Sequence, residues 1–383
     1  MMKTCMEIIK REDCTGCGAC ENICPVNAVS MDVDEEGFWY VHIDRQVCIS
    51  CERCINVCPV LQEKMELISD RSADDPVIYA AWSLNPEIRY QSTSGGIFSE
   101  LSLAVLEEQG FICGAVYDEK QQVWHFITNE EQGLAKIRQS KYVQSHMGSV
   151  FKKIENLLRQ NRTVLFCGSP CQCAGMFYYC REKKVGIKNL YLIDFICRGA
   201  NSPKVYQKFI SELEEKYQSA VSKVWFKNKA YGWNRFSTRI EFENGRYYLL
   251  DRYHDPYIRG YIEENLYIRP SCAHCRFKGM HRIADITLAD FWGIQLHDPT
   301  QDSDGGTSMV MLHTEKGQKL WNTIKNKVYY TQKKIEDVIS GNVCFENSVE
   351  QGIHRAAFMK DLDVMPVIEN IERFLKGNGG GGS

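Results

Sequence analysis

Two runs of cysteine constrain this chain more than anything else in it: Cys14-x2-Cys17-x2-Cys20-x3-Cys24-Pro25 and Cys48-x2-Cys51-x2-Cys54-x3-Cys58-Pro59. Each puts four thiols into eleven residues. Zinc sites pair C-x2-C knuckles across a long spacer, and a disulfide framework goes with an oxidising compartment. Neither explains four thiols crowded together twice. The spacing matches cysteine ligation of two 4Fe-4S clusters, in which the first three thiols of each run hold one cluster and the fourth holds the other. One predicted set is therefore Cys14, Cys17, Cys20 and Cys58, and the second is Cys48, Cys51, Cys54 and Cys24.

This is a bacterial-type two-cluster ferredoxin pattern, so the chain is expected to move single electrons. Residues 1–61 form that unit. The N terminus has no apolar stretch of the signal-peptide kind and no run of eighteen apolar residues follows, so the expected location is a reducing cytoplasm. With 46 basic against 49 acidic residues, the charge excess that backbone neutralisation of nucleic acid requires is missing. Gly377-Asn378-Gly379 through Ser383 reads as an artificial linker at 377–383.

A second, larger unit begins beyond the polar, turn-rich stretch 62–76, with an N-terminal part at 77–158 and a C-terminal part at 159–376. Thr163 to Cys167 reads as a buried strand, followed by a Gly-Ser-Pro loop and a helix from Cys171. Leu190 to Cys197, with Asn201-Ser202-Pro203 behind it, repeats the scheme. Such units predict an α/β sheet with functional loops at the strand ends. Glu243-Asn244-Gly245 marks a hairpin between Thr238–Phe242 and Arg246–Leu250, which makes a mixed sheet the expectation. Ser308 to His313 reads as a further strand and Gly317 to Ile324 as a helix.

Ten cysteines lie outside the two runs. Cys171 and Cys197 fall at strand ends, and Cys272-x2-Cys275 has ligand spacing, which is compatible with another metal site and equally with scattered core thiols. Ser92-Thr93-Ser94-Gly95-Gly96 precedes a helix-like run and suits a phosphate or a flavin edge, or a plain N-cap. Neither a Walker loop nor G-x-G-x-x-G occurs.

In chain order, the Ser92–Gly96 turn, Arg138-Gln139-Ser140-Lys141-Tyr142-Val143-Gln144-Ser145, Cys167-Gly168-Ser169-Pro170-Cys171-Gln172, Cys197-Arg198-Gly199, and Cys272-x2-Cys275 leading to Ala284–Gly293 resemble the coenzyme F-420 hydrogenase/dehydrogenase beta-subunit family. That family includes methanogen hydrogenase subunits and plant 7-hydroxymethyl chlorophyll a reductase. The resemblance covers nearly the whole chain. It implies a mixed-sheet α/β flavin-binding unit, a noncovalent FAD, and a third 4Fe-4S cluster on Cys171, Cys197, Cys272 and Cys275.

On the same ground the residues expected around the flavin are Thr93, Ser94, Gly95, Gly96, Ser140, Lys141, Tyr142, Gln144, Ser145, Ser169, Pro170 and Gln172. Lys141 is expected to offset negative charge on the reduced flavin, while Tyr142, His146 and Asp290, with Asp194 and His281 behind them, are the proton-donor candidates. Trp233, Phe291 and Trp292 with Tyr231 line a flat substrate or, more in keeping with aromatic residues generally, pack a core. The expected function is a ferredoxin-linked iron–sulfur flavoprotein oxidoreductase, reducing an unsaturated or hydroxylated organic substrate in an anaerobic setting. Its class rival is an electron-transfer subunit relaying electrons between a partner protein and ferredoxin or coenzyme F-420. The third reading is an accessory module without flavin.

Overall fold

The computed structural model describes residues 4–62, 76–301 and 304–375. The expected linker at 62–76 lies almost entirely outside the described residues, and the terminal linker at 377–383 wholly so.

The cysteine runs fold as two copies of one loop. In the first, Gly16 and Gly18 take left-handed backbone (φ 68° and 73°) ahead of the helix Ala19–Ile23. In the second, Ser50 and Glu52 hold the same positions with φ 55° and 59° ahead of the helix Arg53–Asn56. Ligand-type loops of this tightness need positive φ at both positions, which glycine adopts without steric cost and other residues do not. The first copy has glycine because it is packed: a Cβ on Gly16 meets Gln144 Nε2 at 2.4 Å and the Trp39 carbonyl at 2.8 Å. Glu52 and Cys51 of the second copy are exposed, so a side chain there costs only backbone strain. Gly16→Ala is accordingly expected to lower stability by about 2–4 kcal/mol, whereas Ser50→Gly gains about 1 kcal/mol. Thermal melting of the loaded protein checks both, and an unchanged melting temperature for Gly16→Ala removes the clash as a constraint.

Between the loops, β1 (Val29–Val33) and β2 (Trp39–Ile43) pair antiparallel. The larger unit contributes β3 (Val77–Ser83), β4 (Phe111–Tyr117), β5 (Val123–Thr128), β6 (Val164–Cys167), β7 (Leu190–Phe195), β8 (Val221–Asn228), β9 (Ser237–Phe242), β10 (Tyr247–Asp251), β11 (Ile286–Asp290), β12 (Ser308–Leu312) and β13 (Val328–Lys333). Eight of these form one sheet in the order β13-β3-β12-β11-β7-β6-β4-β5. Its centre, β11, β7, β6 and β4, is parallel, and both flanks are antiparallel. The sheet is mixed, as expected, but not on account of the Asn-Gly hairpin. That hairpin, β9 and β10, joins β8 in a separate three-stranded sheet.

The parallel strands end on one edge, at Tyr117, Cys167, Phe195 and Asp290. The helix Pro170–Glu182 follows β6 directly, capped by Ser169 and Gln172 and started by Pro170 at its first turn. The helix Pro203–Tyr217 follows β7, with the Ser202 hydroxyl accepting from Val205 N. The helix Ile97–Glu107 begins at Gly96, whose φ of 93° turns the chain into it.

The ferredoxin unit does not stand apart. Cys17, Ala19, Ile23, Val57 and Val60 share one hydrophobic core with the buried face of the helix Pro170–Glu182. Across the same seam Arg53 pairs with Glu182 at 3.1 Å, Arg355 pairs with Glu36, and Lys204 Nζ donates to the Glu35 carbonyl at 2.9 Å. One core thus crosses the chain boundary read near residue 61, while a smaller cluster around Cys5, Val29 and Ile43 belongs to the ferredoxin unit alone.

A candidate iron–sulfur relay along the sheet edge

One cavity is lined by Cys14, Cys17, Cys20 and Cys58, three thiols from the first run and the last from the second, together with Cys5. Burial and the Cys58 thiolate push the Cys17 thiol up, and burial likewise pushes Cys58 up to about 11. Thiols held this far from ionisation in each other's company need a metal to discharge their protons. In the second group, Ala28 N lies 3.2 Å from Cys24 Sγ, Cys5 N lies 3.5 Å from Cys54 Sγ, and Cys51 is exposed. Cys5 was not singled out by spacing, yet it hydrogen-bonds with both Cys20 and Cys54 and sits between the two groups. Only its isolation from any repeat hid it. Among the described residues no three His, Cys, Asp or Glu side chains close around a single ion.

Four further thiols converge although they come from three loops. Cys171 opens the helix after β6, Cys197 follows β7, and Cys272 lies within the turn Pro270–His274 that Cys275 ends. Burial pushes Cys171 up to about 12, with Cys275 and Cys272 adding to the shift, and Cys197 feels Cys272, Cys171 and Cys275 in turn. Ser169 Oγ lies 3.1 Å from Cys171 Sγ, and the Ala200 amide lies 3.4 Å from Cys272 Sγ. Such donors suit sulfur that carries charge. This group also touches the first: Cys17 and Cys171 interact, Thr15 hydrogen-bonds Cys171, and a Cβ on Gly175 falls 3.2 Å from Cys17 Sγ.

The residues expected around a flavin divide into two places. Thr93 Oγ1 accepts from Ser140 N at 2.9 Å, Ser94 Oγ donates to the Thr307 carbonyl at 2.8 Å, and Gly95 N donates to Ser308 Oγ at 2.9 Å, which ties the turn to the start of β12. Lys141 Nζ donates to the carbonyls of Ile137 (2.8 Å) and Arg138 (3.0 Å) at the end of the helix Glu131–Ile137, and burial pushes its pKa down to about 7. The others lie at the cysteine seam. Gln172 Nε2 donates to Ser145 Oγ, Gln172 Oε1 accepts from Ser169 N, and Gln144 Oε1 accepts from Trp39 N in the ferredoxin unit.

The proton-donor candidates separate as well. Asp194 is locked to Arg282 with both side chains about 1% exposed, and it accepts from Thr287 Oγ1. His281 is exposed. His146 packs between Trp39 and Trp124 (centroids 4.3 and 4.6 Å), and Gly148 N donates to its Nδ1. Tyr142 packs against Phe226 and Tyr261, where burial and the Asp290 charge push its pKa up. Asp290 accepts from Trp233 Nε1 at 2.7 Å and pairs with Lys227. Trp233 and Phe291 are core, and Trp292 stacks on Trp233 at 4.8 Å.

Lys227 was missed by sequence reasoning. A bulge between Trp225 and Asn228 gives it a φ of 57°, and its side chain is buried in the inward half of the strand. Lys229, two residues on, is buried with Nζ on the Arg89, Ser94 and Gly305 carbonyls, and burial pushes its pKa down to about 7.

Burial pushes both His125 and His146 down to about 4. An unfolded histidine protonates near 6.5, so below that pH the unfolded chain takes up more protons than the folded one. Stability is full above about pH 6.5 and falls by about 1.4 kcal/mol per pH unit per histidine on the way down. Urea unfolding between pH 7 and 5.5 should show this slope, and His125→Phe should make it shallower.

The descriptions of the coenzyme F420 hydrogenase/dehydrogenase beta subunit, N-terminal and C-terminal parts, match residues 78–152 and 161–338. The chain belongs to that family. A 4Fe-4S dicluster domain matches residues 13–61. This member of the F420 hydrogenase/dehydrogenase beta-subunit family is thus an iron–sulfur electron-transfer protein of an oxidoreductase class, and 4Fe-4S clusters are among its cofactors. A chain of the F420-reducing [NiFe] hydrogenase complex from Methanosarcina barkeri is similar over 82% of this chain and 95% of that one, at 18% identity and a TM-score of 0.48, too low to carry an argument. No curated protein matches the sequence. Among the described residues no helix is long and apolar enough to cross a membrane.

Proposed function

We propose that the chain is a cytoplasmic, ferredoxin-linked iron–sulfur flavoprotein that reduces an unsaturated or hydroxylated organic molecule. Residues 1–61 would form the electron-collecting unit and residues 77–158 and 159–376 the flavin and third-cluster unit. The observation that carries this reading is that the Cys171 thiol hydrogen-bonds with Thr15 of the first cysteine loop and lies near enough to Cys17 for their charges to interact, which supports the third thiol group as the continuation of the ferredoxin path.

In this reading Cys14, Cys17, Cys20 and Cys58 hold one cluster, Cys48, Cys51, Cys54 and Cys24 a second, and Cys171, Cys197, Cys272 and Cys275 a third. The exposed Cys51 marks the side open to a donor. FAD is supported by two features of the sheet edge. His125 Nδ1 and Asn228 Nδ2 are buried without hydrogen-bond partners among the described residues. Lys141, Arg198, Lys229 and Arg252 form no ion pair there and rest on carbonyls, an amide oxygen and ring faces. The buried Lys229 and the half-buried Lys141, Arg198 and Arg252 suit an anionic occupant.

Clusters pass electrons singly, and a bound flavin would collect two and deliver them as a pair. The chain's own residues would do the rest. The Thr93–Gly96 turn and Ser140 would orient the cofactor. Lys141 and the buried Lys229 would offset negative charge, and Tyr142, kept protonated by burial and by Asp290, would hold the proton for the substrate. The helix start at Ser169 and Pro170, with Gln144, Ser145 and Gln172, would brace the seam between third cluster and flavin.

The rival reading, relay to a partner subunit, draws on the exposure of Val47, Ile49 and Cys51 around the second cluster. Anaerobic reconstitution with FAD separates the two. The reductase reading expects about one FAD per chain and reoxidation of the dithionite-reduced protein by a conjugated organic acceptor. Flavin binding without any such reoxidation favours relay, and no flavin binding overturns both flavin readings.

A further inference from the structure

Arg269 is fully buried, and no carboxylate pairs with it among the described residues. Its Nε donates to the Cys14 carbonyl at 2.8 Å, and its Nη1 donates to Gln144 Oε1 at 3.2 Å and stands 3.2 Å from the position of a Cβ on Gly16. Its guanidinium lies 4.0 Å from the Tyr40 ring centroid and 5.4 Å from that of Phe38, while Nη2 has no partner. On the other side, the Arg269 carbonyl accepts from Cys272 N at 3.0 Å, so the same residue begins the turn that carries Cys272 and Cys275.

A buried guanidinium without a counter-ion is costly, and ring faces and one carbonyl offset only part of that cost. The remaining negative charge available on both sides is thiolate sulfur with whatever it ligates. Electron transfer between the two sites moves one negative charge from the Cys14 side to the Cys272 side, with no proton moved and no bond made or broken. A fixed cation between them stabilises that charge in either position.

We propose that Arg269 is the electrostatic coupling residue of the relay: a buried cation shared by the Cys14/Cys17/Cys20/Cys58 site and the Cys171/Cys197/Cys272/Cys275 site that raises the reduction potential of both. This rests on the third-cluster reading above. It also explains why Gln144, expected at a flavin, instead turns its oxygen to Arg269: a neutral acceptor fixes the guanidinium without cancelling its charge.

The test is an EPR-monitored potentiometric titration of the anaerobically reconstituted full chain, with iron counted on the same samples. Arg269→Gln should lower the potentials of two of three reductive steps and leave the third, that of the exposed Cys48/Cys51/Cys54/Cys24 site, in place. Arg269→Lys should restore most of the shift, whereas a purely structural role predicts that lysine does as badly as glutamine. Gln144→Glu keeps the arginine and neutralises it, so the same two steps should fall even if Arg269→Gln does not fold. About 12 irons per chain with unmoved potentials in Gln144→Glu and Arg269→Lys as poor as Arg269→Gln overturns the role of Arg269 alone. About eight irons in the wild type overturns the relay and the coupling role with it.

Discussion

Replacing Cys272 and Cys275 together by serine should leave about eight irons per chain where the intact protein carries about 12, with acid-labile sulfide falling in step. The two residues are held by a short turn between Arg269 and the core residue Phe277, while the ferredoxin thiols are backed by Ala19, Ile23, Val57 and Val60. Serine is close to isosteric but does not replace thiolate as a soft ligand for iron. Iron and sulfide assay after anaerobic reconstitution checks the outcome. Equal iron in both proteins would return Cys171, Cys197, Cys272 and Cys275 to ordinary packing thiols and break the continuation from Cys17.

Asp290→Asn should destabilise the fold by about 3–5 kcal/mol, because it strands the Lys227 ammonium, whose side chain is 2% exposed, without its partner. The carboxylate also accepts from Trp233 Nε1, so the change touches the stacked Trp233 and Trp292 pair. A double variant, Lys227→Met with Asp290→Leu, removes both charges and should recover most of the loss. Denaturant unfolding of the three proteins measures this. A double variant as unstable as Asp290→Asn would mean that the pair's shape, rather than its charge balance, holds the edge together.

Much of this could be read from the chain because the signals were local. Cysteine spacing alone grouped Cys14, Cys17 and Cys20 with Cys58, and the cavity they line has that composition. The strands at Val164–Cys167 and Leu190–Phe195 follow from short apolar runs ended by Gly-Ser-Pro and Asn-Ser-Pro, whose prolines start the next helices. The Asn-Gly turn correctly marked a hairpin. It did not say which sheet would receive it, since an edge hydrogen-bonds to whatever strand the rest of the chain brings alongside.

Other features have no local signal. Nothing around Cys5 repeats, so its place between Cys20 and Cys54 depends on the closure of both loops. Lys227 sits in an apolar strand and reads as an outward-facing charge, yet it is buried at a bulge. Lys141, Gln144 and Ser145 are near neighbours in sequence, yet one caps a helix, one serves Arg269 and one serves Gln172, because each extended residue faces a different element.

The sequence by itself determined the ferredoxin unit, the α/β character of the remainder and the family. These depend on spacing, periodicity and turn chemistry over a few residues. Only the tertiary structure decided that the two units share a core, that the third thiol group abuts Cys17, and that Arg269 lies between them with no acid to pair it. Those are meetings of residues up to 255 positions apart, chosen by the packing of the helix Pro170–Glu182 and the turn Pro270–His274 against the first cysteine loop, and no window of sequence contains both sides of them.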